Sequence, residues 1–167
     1  MRRSKSFTGK RIISVDTGHD LGMVKDVYFD STLTQIAGLF LGNEGLLSRK
    51  ALLLPASAIT LLGQDAILVS HFDAVSDSKQ TDMTDWVRRD HLQGRTIATA
   101  GGTKVGTIND VLVDGEGTVK AFSLAMIFID SPITQARHIK RNVLLDVGSP
   151  TSAMTIDLAK AEQQSLI

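Results

Sequence analysis

The sequence has no cysteine, few aromatic residues and no excess of either charge. Without cysteine, the 167 residues can form neither disulfides nor cysteine-dependent zinc sites, and they cannot carry out thiolate chemistry. The 18 basic and 18 acidic side chains cancel, so no net field steers the protein to nucleic acid or to an anionic membrane. Aromatic residues make up only 5% of the chain, which disfavours a stacking platform for single-stranded RNA.

Long hydrophobic runs are also missing. The longest run covers residues 121–129 and is interrupted by Ser123, well short of the ~20 residues that a membrane-spanning helix needs. The basic N-terminus has no apolar stretch behind it, which disfavours a secretory signal. We therefore expect a cytoplasmic protein whose membrane contact, where it exists, is peripheral or made through a partner.

An internal repeat is the strongest pattern in the chain. Residues 7–41 align with residues 92–124 at offsets of 85, 84 and then 83, each change being a single-residue gap in a turn-like stretch. Residues 52–69 match residues 138–156 more loosely. We predict a first repeat at 1–75, a linker at 76–91, a second repeat at 92–156 and a C-terminal helix at 157–167. The repeated structural positions are Gly9, Gly22, Asp26 and Asp30 in the first copy and Gly94, Gly106, Asp110 and Asp114 in the second.

Each copy has the pattern of short β-strands separated by glycine-rich turns. Val24 and Val27 are three residues apart, as are Ile108 and Val111, which breaks the two-residue alternation of a regular strand. We therefore predict a β-bulge near residues 25–26 and again near 109–110, because bulges bend strands as a small barrel requires. Residues 52–55 and 66–69 are expected to form a third strand pair that closes the first copy. The linker is polar apart from Met83, Trp86 and Val87, which we expect to pack back onto a barrel.

The chain resembles the PRC-barrel family through the segments GKRI and GRTI, LGMVKDVYFD and VGTINDVLVD, and PASAITLLGQDAILV. The second copy departs from the pattern, with Arg141 at the place of Pro55. The resemblance implies an all-β fold of two tandem small barrels with a short C-terminal helix. The family includes the cytoplasmic domain of the photosynthetic reaction-centre H subunit and a domain of a ribosome maturation factor. It thus implies a module that binds proteins or RNA–protein complexes, with no enzyme activity and no fixed cofactor.

The repeated aspartates are the obvious candidates for acid–base chemistry, but their recurrence in both copies favours a structural role. One aspartate of each pair would satisfy backbone N–H groups at the bulge, and the other would start a turn. His19 stands beside Asp16 and Asp20, and we expect a solvated loop there rather than a weak metal site. No catalytic, cofactor-binding or metal-binding residue is predicted.

Candidate partner-binding residues lie in loops that match between the copies. They are the cations Arg49, Lys50, Arg137, His138, Lys140 and Arg141, together with the apolar pair Leu46 and Leu47. The apolar pair would be either a docking hook or a lid on the barrel, and residues 125–133 form its counterpart. Tyr28 is expected to face outward, and Phe128 to lie in the core. A further basic cluster begins the chain.

These features predict a docking module for a protein complex, related to photosynthesis or associated with a membrane. The alternative is an adaptor for ribosome or RNA maturation that uses the basic loops. Contact with anionic lipid headgroups and a homodimer formed through a strand edge remain open.

Overall fold

The computed structural model describes residues 1–44 and 50–166 and consists mainly of β-strands. The strands up to the linker are β1 (Arg2–Arg3), β2 (Arg11–Ser14), β3 (Asp20–Met23), β4 (Asp26–Phe29), β5 (Ile36–Glu44), β6 (Lys50–Pro55), β7 (Ile59–Leu62), β8 (Ala66–Val69) and β9 (Ser76–Asp77). The later elements are β10 (Val87–Arg88), α1 (Arg89–Leu92), β11 (Thr96–Thr99), β12 (Lys104–Val113), β13 (Val119–Ile127), α2 (Ile133–Ala136), β14 (His138–Lys140), β15 (Leu144–Asp146), β16 (Met154–Ile156) and α3 (Leu158–Ser165). Short 3-10 helices cover Ser4–Phe7, Ala56–Ala58 and Arg141–Val143. The predicted all-β fold with a short C-terminal helix is confirmed.

The two repeats have the same strand topology. The second forms one curved sheet in the order β14-β13-β12-β11-β16-β15. The first forms two sheets, β10-β4-β5-β6-β9 and β3-β2-β8-β7, because its counterpart of β12 is split into β3 and β4. In each repeat a parallel pair joins the start of the barrel to its end, β2 with β8 and β11 with β16. The structure corrects the expected third pair, since β6 and β8 belong to different sheets.

The predicted break in strand phase is present in both copies. In the first copy, residues 24 and 25 separate β3 from β4. In the second, β12 is continuous, but its register with β13 shifts between Ile108 and Asp110. The shift lets Val24 and Val27, and likewise Ile108 and Val111, all point into the core, where each is fully buried.

Buried side chains of both repeats form one continuous hydrophobic cluster. A second, smaller cluster contains Tyr28, Phe40 and Leu53, with Met83 and Trp86 of the linker packed against it. Tyr28 is therefore not an outward-facing residue: it is only 7% exposed, and its ring centroid lies 5.7 Å from that of Trp86. The prediction for Tyr28 was wrong because the linker covers the second face of β4.

The C-terminal helix α3 begins at an N-cap formed by Asp157. The carboxylate of Asp157 accepts a hydrogen bond from the backbone N–H of Lys160 at 3.1 Å, satisfying one of the free donors at the helix start. Ala161 is buried and Leu158 packs against the main core, so the helix covers one end of the second barrel.

Candidate functional site: the contact between the two barrels

The arms that precede the two barrels are exchanged between them. β10, which leads into the second barrel, pairs antiparallel with β4 of the first, and Val87 lies opposite Phe29. β1, which leads into the first barrel, pairs antiparallel with β12 of the second, and Arg2 lies opposite Val113. Phe29 and Val113 are equivalent positions in the repeat, as are Arg2 and Val87. The two pairings are therefore copies of each other about a pseudo-two-fold axis.

The axis passes between Gln35 and Thr118, which are equivalent positions bridged to each other across the contact. On one side of this bridge the Ile36 N–H donates to the Gly117 carbonyl at 2.8 Å. On the other side the Val119 N–H donates to the Thr34 carbonyl at the same distance. Each barrel thus contributes the same surface to the contact, as in a symmetric dimer.

The repeated aspartate Asp26 is buried at this contact. It is 2% exposed, and its carboxylate accepts hydrogen bonds from Arg88 Nε at 2.7 Å and Arg89 Nε at 3.1 Å. The backbone N–H groups of Asp90 and Val27 donate to the same carboxylate at 3.3 and 2.9 Å. The arm of the second barrel therefore docks on a buried anion of the first.

Asp110 plays the reciprocal part in the second barrel. It is 4% exposed and accepts hydrogen bonds from Ser4 Oγ at 2.6 Å and from the Lys5 N–H at 3.2 Å. Its own neighbour Val111 donates a backbone bond at 2.8 Å. Arg89 NH1 lies 3.8 Å from Asp110, so one guanidinium stands between two buried carboxylates, one from each barrel. These groups hold the barrels together, although Arg89 NH1 is buried without a hydrogen-bond partner among the described residues.

The other repeated aspartates stabilise turns. Asp30 Oδ1 accepts the backbone N–H of Thr34 at 2.6 Å. Asp114 Oδ1 accepts those of Thr118 at 2.9 Å and Glu116 at 3.0 Å. Hydrogen bonding, first from the Thr118 N–H, holds the pKa of Asp114 below its ordinary value because it stabilises the charged carboxylate.

The repeated glycines occupy positions where the backbone conformation or the lack of space disfavours a side chain. Gly9 and Gly94 have φ of 89° and 83° and turn the chain from each arm into its barrel. Gly22 has φ of 129°. A Cβ at its counterpart Gly106 would collide with the carbonyl oxygen of Met126.

Arg141 belongs to the contact rather than to an open basic loop. Its Nε donates to the Leu33 carbonyl at 2.8 Å, and its NH2 donates to the Thr32 carbonyl at 2.7 Å, so it fastens the second barrel to the first. The strand registers correct its place in the repeat. Pro55 pairs with Gly38 and Lys140 with Ala121, and Gly38 and Ala121 are equivalent. Lys140 is therefore the counterpart of Pro55.

Of the other predicted partner-binding cations, Lys140 lines the same pocket as Arg141, whereas Lys50, Arg137 and His138 make contacts elsewhere. Lys50 lies at the opposite end of β6 from the contact, with its Nζ 3.9 Å from the Asp77 carboxylate. Arg137 adopts a left-handed backbone with φ of 54°, and its guanidinium donates to the Ala125 carbonyl at 2.9 Å. His138 Nδ1 donates to the Ala136 carbonyl at 2.8 Å. Lys140 is exposed, whereas Leu46, Leu47 and Arg49 lie outside the described residues.

The N-terminal cations help to close the first barrel. The Arg2 guanidinium donates to the carbonyls of Leu62 at 2.6 Å and Gly63 at 2.8 Å, and it lies 4.4 Å above the Phe7 ring. Lys10 Nζ donates to the same Gly63 carbonyl at 3.1 Å. Burial, and then the charge of Arg2, lower the pKa of Lys10. Arg2 therefore contacts one barrel with its side chain while its backbone pairs with the other.

An exposed apolar surface projects from the second barrel at the end of β13. Met126 is 58% exposed and Phe128 is 50% exposed, so the expectation of a core position for Phe128 was wrong. The reason is that β14 pairs only with residues 121–123 of β13. The end of β13 and the residue after it continue along β12, with the Phe128 N–H donating to the Val105 carbonyl at 2.9 Å. We call Met126 and Phe128 the hairpin surface.

An open pocket of about 590 Å³ lies beside Arg95, which is buried. The turn at Ser149 and Ser152 forms another part of its lining. Burial lowers the pKa of Arg95, and its NH1 donates to the Val147 carbonyl at 3.2 Å. Among residues 1–44 and 50–166 there is no cluster of three acidic, histidine or cysteine side chains that would hold a metal ion, and His19 is exposed.

No helix within the described part of the chain combines the length and apolarity needed to cross a bilayer.

The chain was also compared with models of protein families. The model of the PRC-barrel domain matches residues 1–74 and again residues 87–159, so most of the chain is covered by two consecutive copies. The chain belongs to the PRC-barrel family, as the repeated motifs predicted. Comparison with curated proteins gave no significant match. The family membership supports a binding and assembly module in general terms.

Proposed function

We propose that this two-barrel member of the PRC-barrel family is a non-catalytic docking module that binds a protein complex through its hairpin surface. The observation that carries the proposal is the exposure of Met126 and Phe128, at 58% and 50%, at the end of β13 that β14 does not reach. Large exposed apolar side chains placed together are typical of interaction sites, and methionine adapts its shape to a partner.

The use of the buried polar groups supports a non-catalytic role. Asp26 and Asp110, the two most buried carboxylates among the side chains that the structure describes, accept several hydrogen bonds each from arms that hold the barrels together. A general acid or base needs a carboxyl group within reach of substrate and free to exchange its proton. Both groups are instead enclosed by the chain that they organise.

We further propose that the bound complex is associated with a membrane, as a photosynthetic complex would be. The support is the family resemblance to the reaction-centre H subunit, whose domain of this type serves a membrane assembly. The hairpin surface would then bind a part of the complex that lies outside the bilayer.

The test is affinity purification of the tagged full chain from a native lysate containing membranes, with quantitative proteomics. Wild type is compared with the double variant Met126→Glu, Phe128→Glu. Leu145→Glu serves as the matched control, because Leu145 is also an apolar strand residue and is 63% exposed. We expect the subunits of one complex to be enriched by the wild type and the control and lost with the double variant. Enrichment that survives in the double variant would refute the hairpin surface as the docking site.

The second candidate function is ribosome or RNA maturation, favoured by exposed cations such as Arg3, Lys5 and Lys140. It predicts binding to ribosomal RNA that weakens with salt. Neutralising one cation that contacts a phosphate should reduce the slope of log K against log salt by about 0.7–0.9. Lys140→Gln and Arg3→Gln test this by filter binding at several salt concentrations, and unchanged slopes in both would exclude these cations as the site.

A further inference from the structure

Arg95 is a buried cation that the described residues leave without a counter-charge. It is only 8% exposed, and it forms no ion pair with any residue in the described part of the chain. An arginine in a protein does not lose its proton, and taking a charge out of water without a partner is strongly unfavourable. An anion placed beside Arg95 would therefore stabilise the fold.

The hydrogen-bonding capacity of Arg95 is also only partly used. NH1 donates to the Val147 carbonyl at 3.2 Å. Nε is buried without a partner, and NH2 donates to no residue that the structure describes. A guanidinium has five N–H donors in one plane, so the chain itself leaves most of the donors of Arg95 unused.

The open pocket of about 590 Å³ beside this side chain, which we call the Arg95 pocket, is lined by polar groups and by no acidic side chain. Its size falls within the range of about 300–1,000 Å³ that is typical of small-molecule sites. The acid nearest to the turn, Asp146, lies outside the lining, and its carboxylate accepts the Gly148 N–H at 2.7 Å. Besides Arg95, the lining contains the polar side chains of His91, Gln93, Thr96, Ser149, Thr151 and Ser152.

The first repeat has an acid near its equivalent cation. Lys10 and Arg95 are equivalent positions, each directly after the repeated glycine of its arm. Burial, and then the charge of Arg2, lower the pKa of Lys10, whereas the charge of Asp65 raises it. Asp65 lies between β7 and β8. The longer turn between β15 and β16, residues 147–153, has no acidic residue, and the lowered pKa of Arg95 has burial as its only cause. The second repeat therefore lacks a negative charge that the first one supplies.

We propose that the Arg95 pocket binds a phosphate group, either as free phosphate or as part of a small phosphate ester. Arginine forms charge-assisted hydrogen bonds with phosphate oxygens. A phosphate group also has more acceptor oxygens than a carboxylate, which suits a lining rich in hydroxyl groups. This inference goes beyond the proposed docking function, and the pocket shares no residue with the hairpin surface.

The test is an NMR titration of the ¹⁵N-labelled full chain with sodium phosphate, at constant pH and with sodium chloride keeping the ionic strength constant. We expect saturable shifts of the Gly94, Thr96, Thr151 and Ser152 amides, with a dissociation constant on the order of 1 mM. A parallel titration with glycerol 3-phosphate distinguishes the two sources of the group. Equal or tighter binding of the ester indicates a phosphorylated small molecule, and weaker binding indicates free phosphate.

Two variants and a matched control connect the shifts to the pocket. Arg95→Gln removes the charge and should weaken binding at least about tenfold, the contribution of one hydrogen bond to a charged group. Thr151→Glu places a carboxylate in the lining at an exposed position that the fold should tolerate, and it should abolish binding. Thr60→Glu is the control and should bind as the wild type does. Thr60, like Thr151, is an exposed threonine whose hydroxyl group contacts that of a serine.

The proposal is overturned by an absence of saturable shifts in the wild type, by wild-type affinity in Thr151→Glu, or by an equal loss of binding in Thr60→Glu. Wild-type affinity in a folded Arg95→Gln would overturn it as well. Since Thr151 is exposed, its variant gives an answer even where Arg95→Gln does not fold. The titration contains no protein partner, so its outcome is independent of whether the hairpin surface captures a complex.

Discussion

Replacing Asp26 with asparagine should cost a large part of the stability of the protein. The substitution keeps the shape of the side chain and removes its charge. Arg89, whose side chain is 10% exposed, then retains only the carboxylate of Asp110 at 3.8 Å. The new amide group would also point a donor at one of the N–H groups that now bond to Asp26. Breaking a buried ion pair by removing one partner costs about 3–5 kcal/mol. Arg88 adds little, because its side chain is one-third exposed.

The assay is urea denaturation followed by circular dichroism and by Trp86 fluorescence. We expect the free energy of unfolding to fall by about 3 kcal/mol, out of the roughly 5–15 kcal/mol that domains possess, with an unchanged slope against urea. Asp65→Asn is the control, because Asp65 is exposed and the change should cost less than about 0.5 kcal/mol. A loss in Asp26→Asn below about 1 kcal/mol would refute the buried pair as the fastening of the two barrels.

Other substitutions test separate parts of the contact and core. Ser4→Ala removes the 2.6 Å hydrogen bond to Asp110. The rate of hydrogen–deuterium exchange should then rise in β12, far along the chain. A rise confined to the first repeat would contradict the arm exchange. Gly38→Ala places a Cβ 2.8 Å from the Trp86 ring. The fluorescence spectrum of Trp86 should therefore change, and the free energy of unfolding should fall by about 1–3 kcal/mol. An unchanged spectrum would argue against this packing. The Asp114 carboxyl should titrate below 3.8 in the folded protein when followed by NMR. The pKa of Asp114 is lower in the folded than in the unfolded protein, so the stability that it contributes is present above pH 3.8 and is lost as the pH falls through the folded pKa. A titration midpoint at or above 3.8 would contradict the hydrogen bonds of the turn.

The repeat in the sequence predicted the equivalence of the two barrels and the break in their bent strands. It did not predict the exchange of arms, because alignment shows which segments are alike and not which barrel each one completes. A signal was nonetheless present. Phe7 and Leu92 fall at the same offset as Gly9 and Gly94, and both are fully buried, so each arm was part of the repeat.

The errors at Tyr28 and Phe128 have a common physical origin. Alternation along a strand separates its two faces, but it does not say what lies against each face. Trp86 from the linker covers the face that carries Tyr28, whereas the end of β13 has no strand on its outer side to enclose Phe128. The role of Arg141 was missed for a similar reason, since its acceptors are backbone carbonyls of the other repeat, and a carbonyl has no signature in the sequence.

Joining the two barrels in one chain changes what their contact can do over evolutionary time. A contact between two identical subunits must change on both sides at once, because every substitution appears twice. Here Arg141 and Ala56 occupy the two equivalent places, which no pair of identical subunits could achieve. The covalent link also makes the barrel contact independent of protein concentration. The molecule therefore keeps the symmetry of a dimer in its fold, while its two ends carry different side chains. A partner that recognises one end binds in a single orientation, one partner to each molecule.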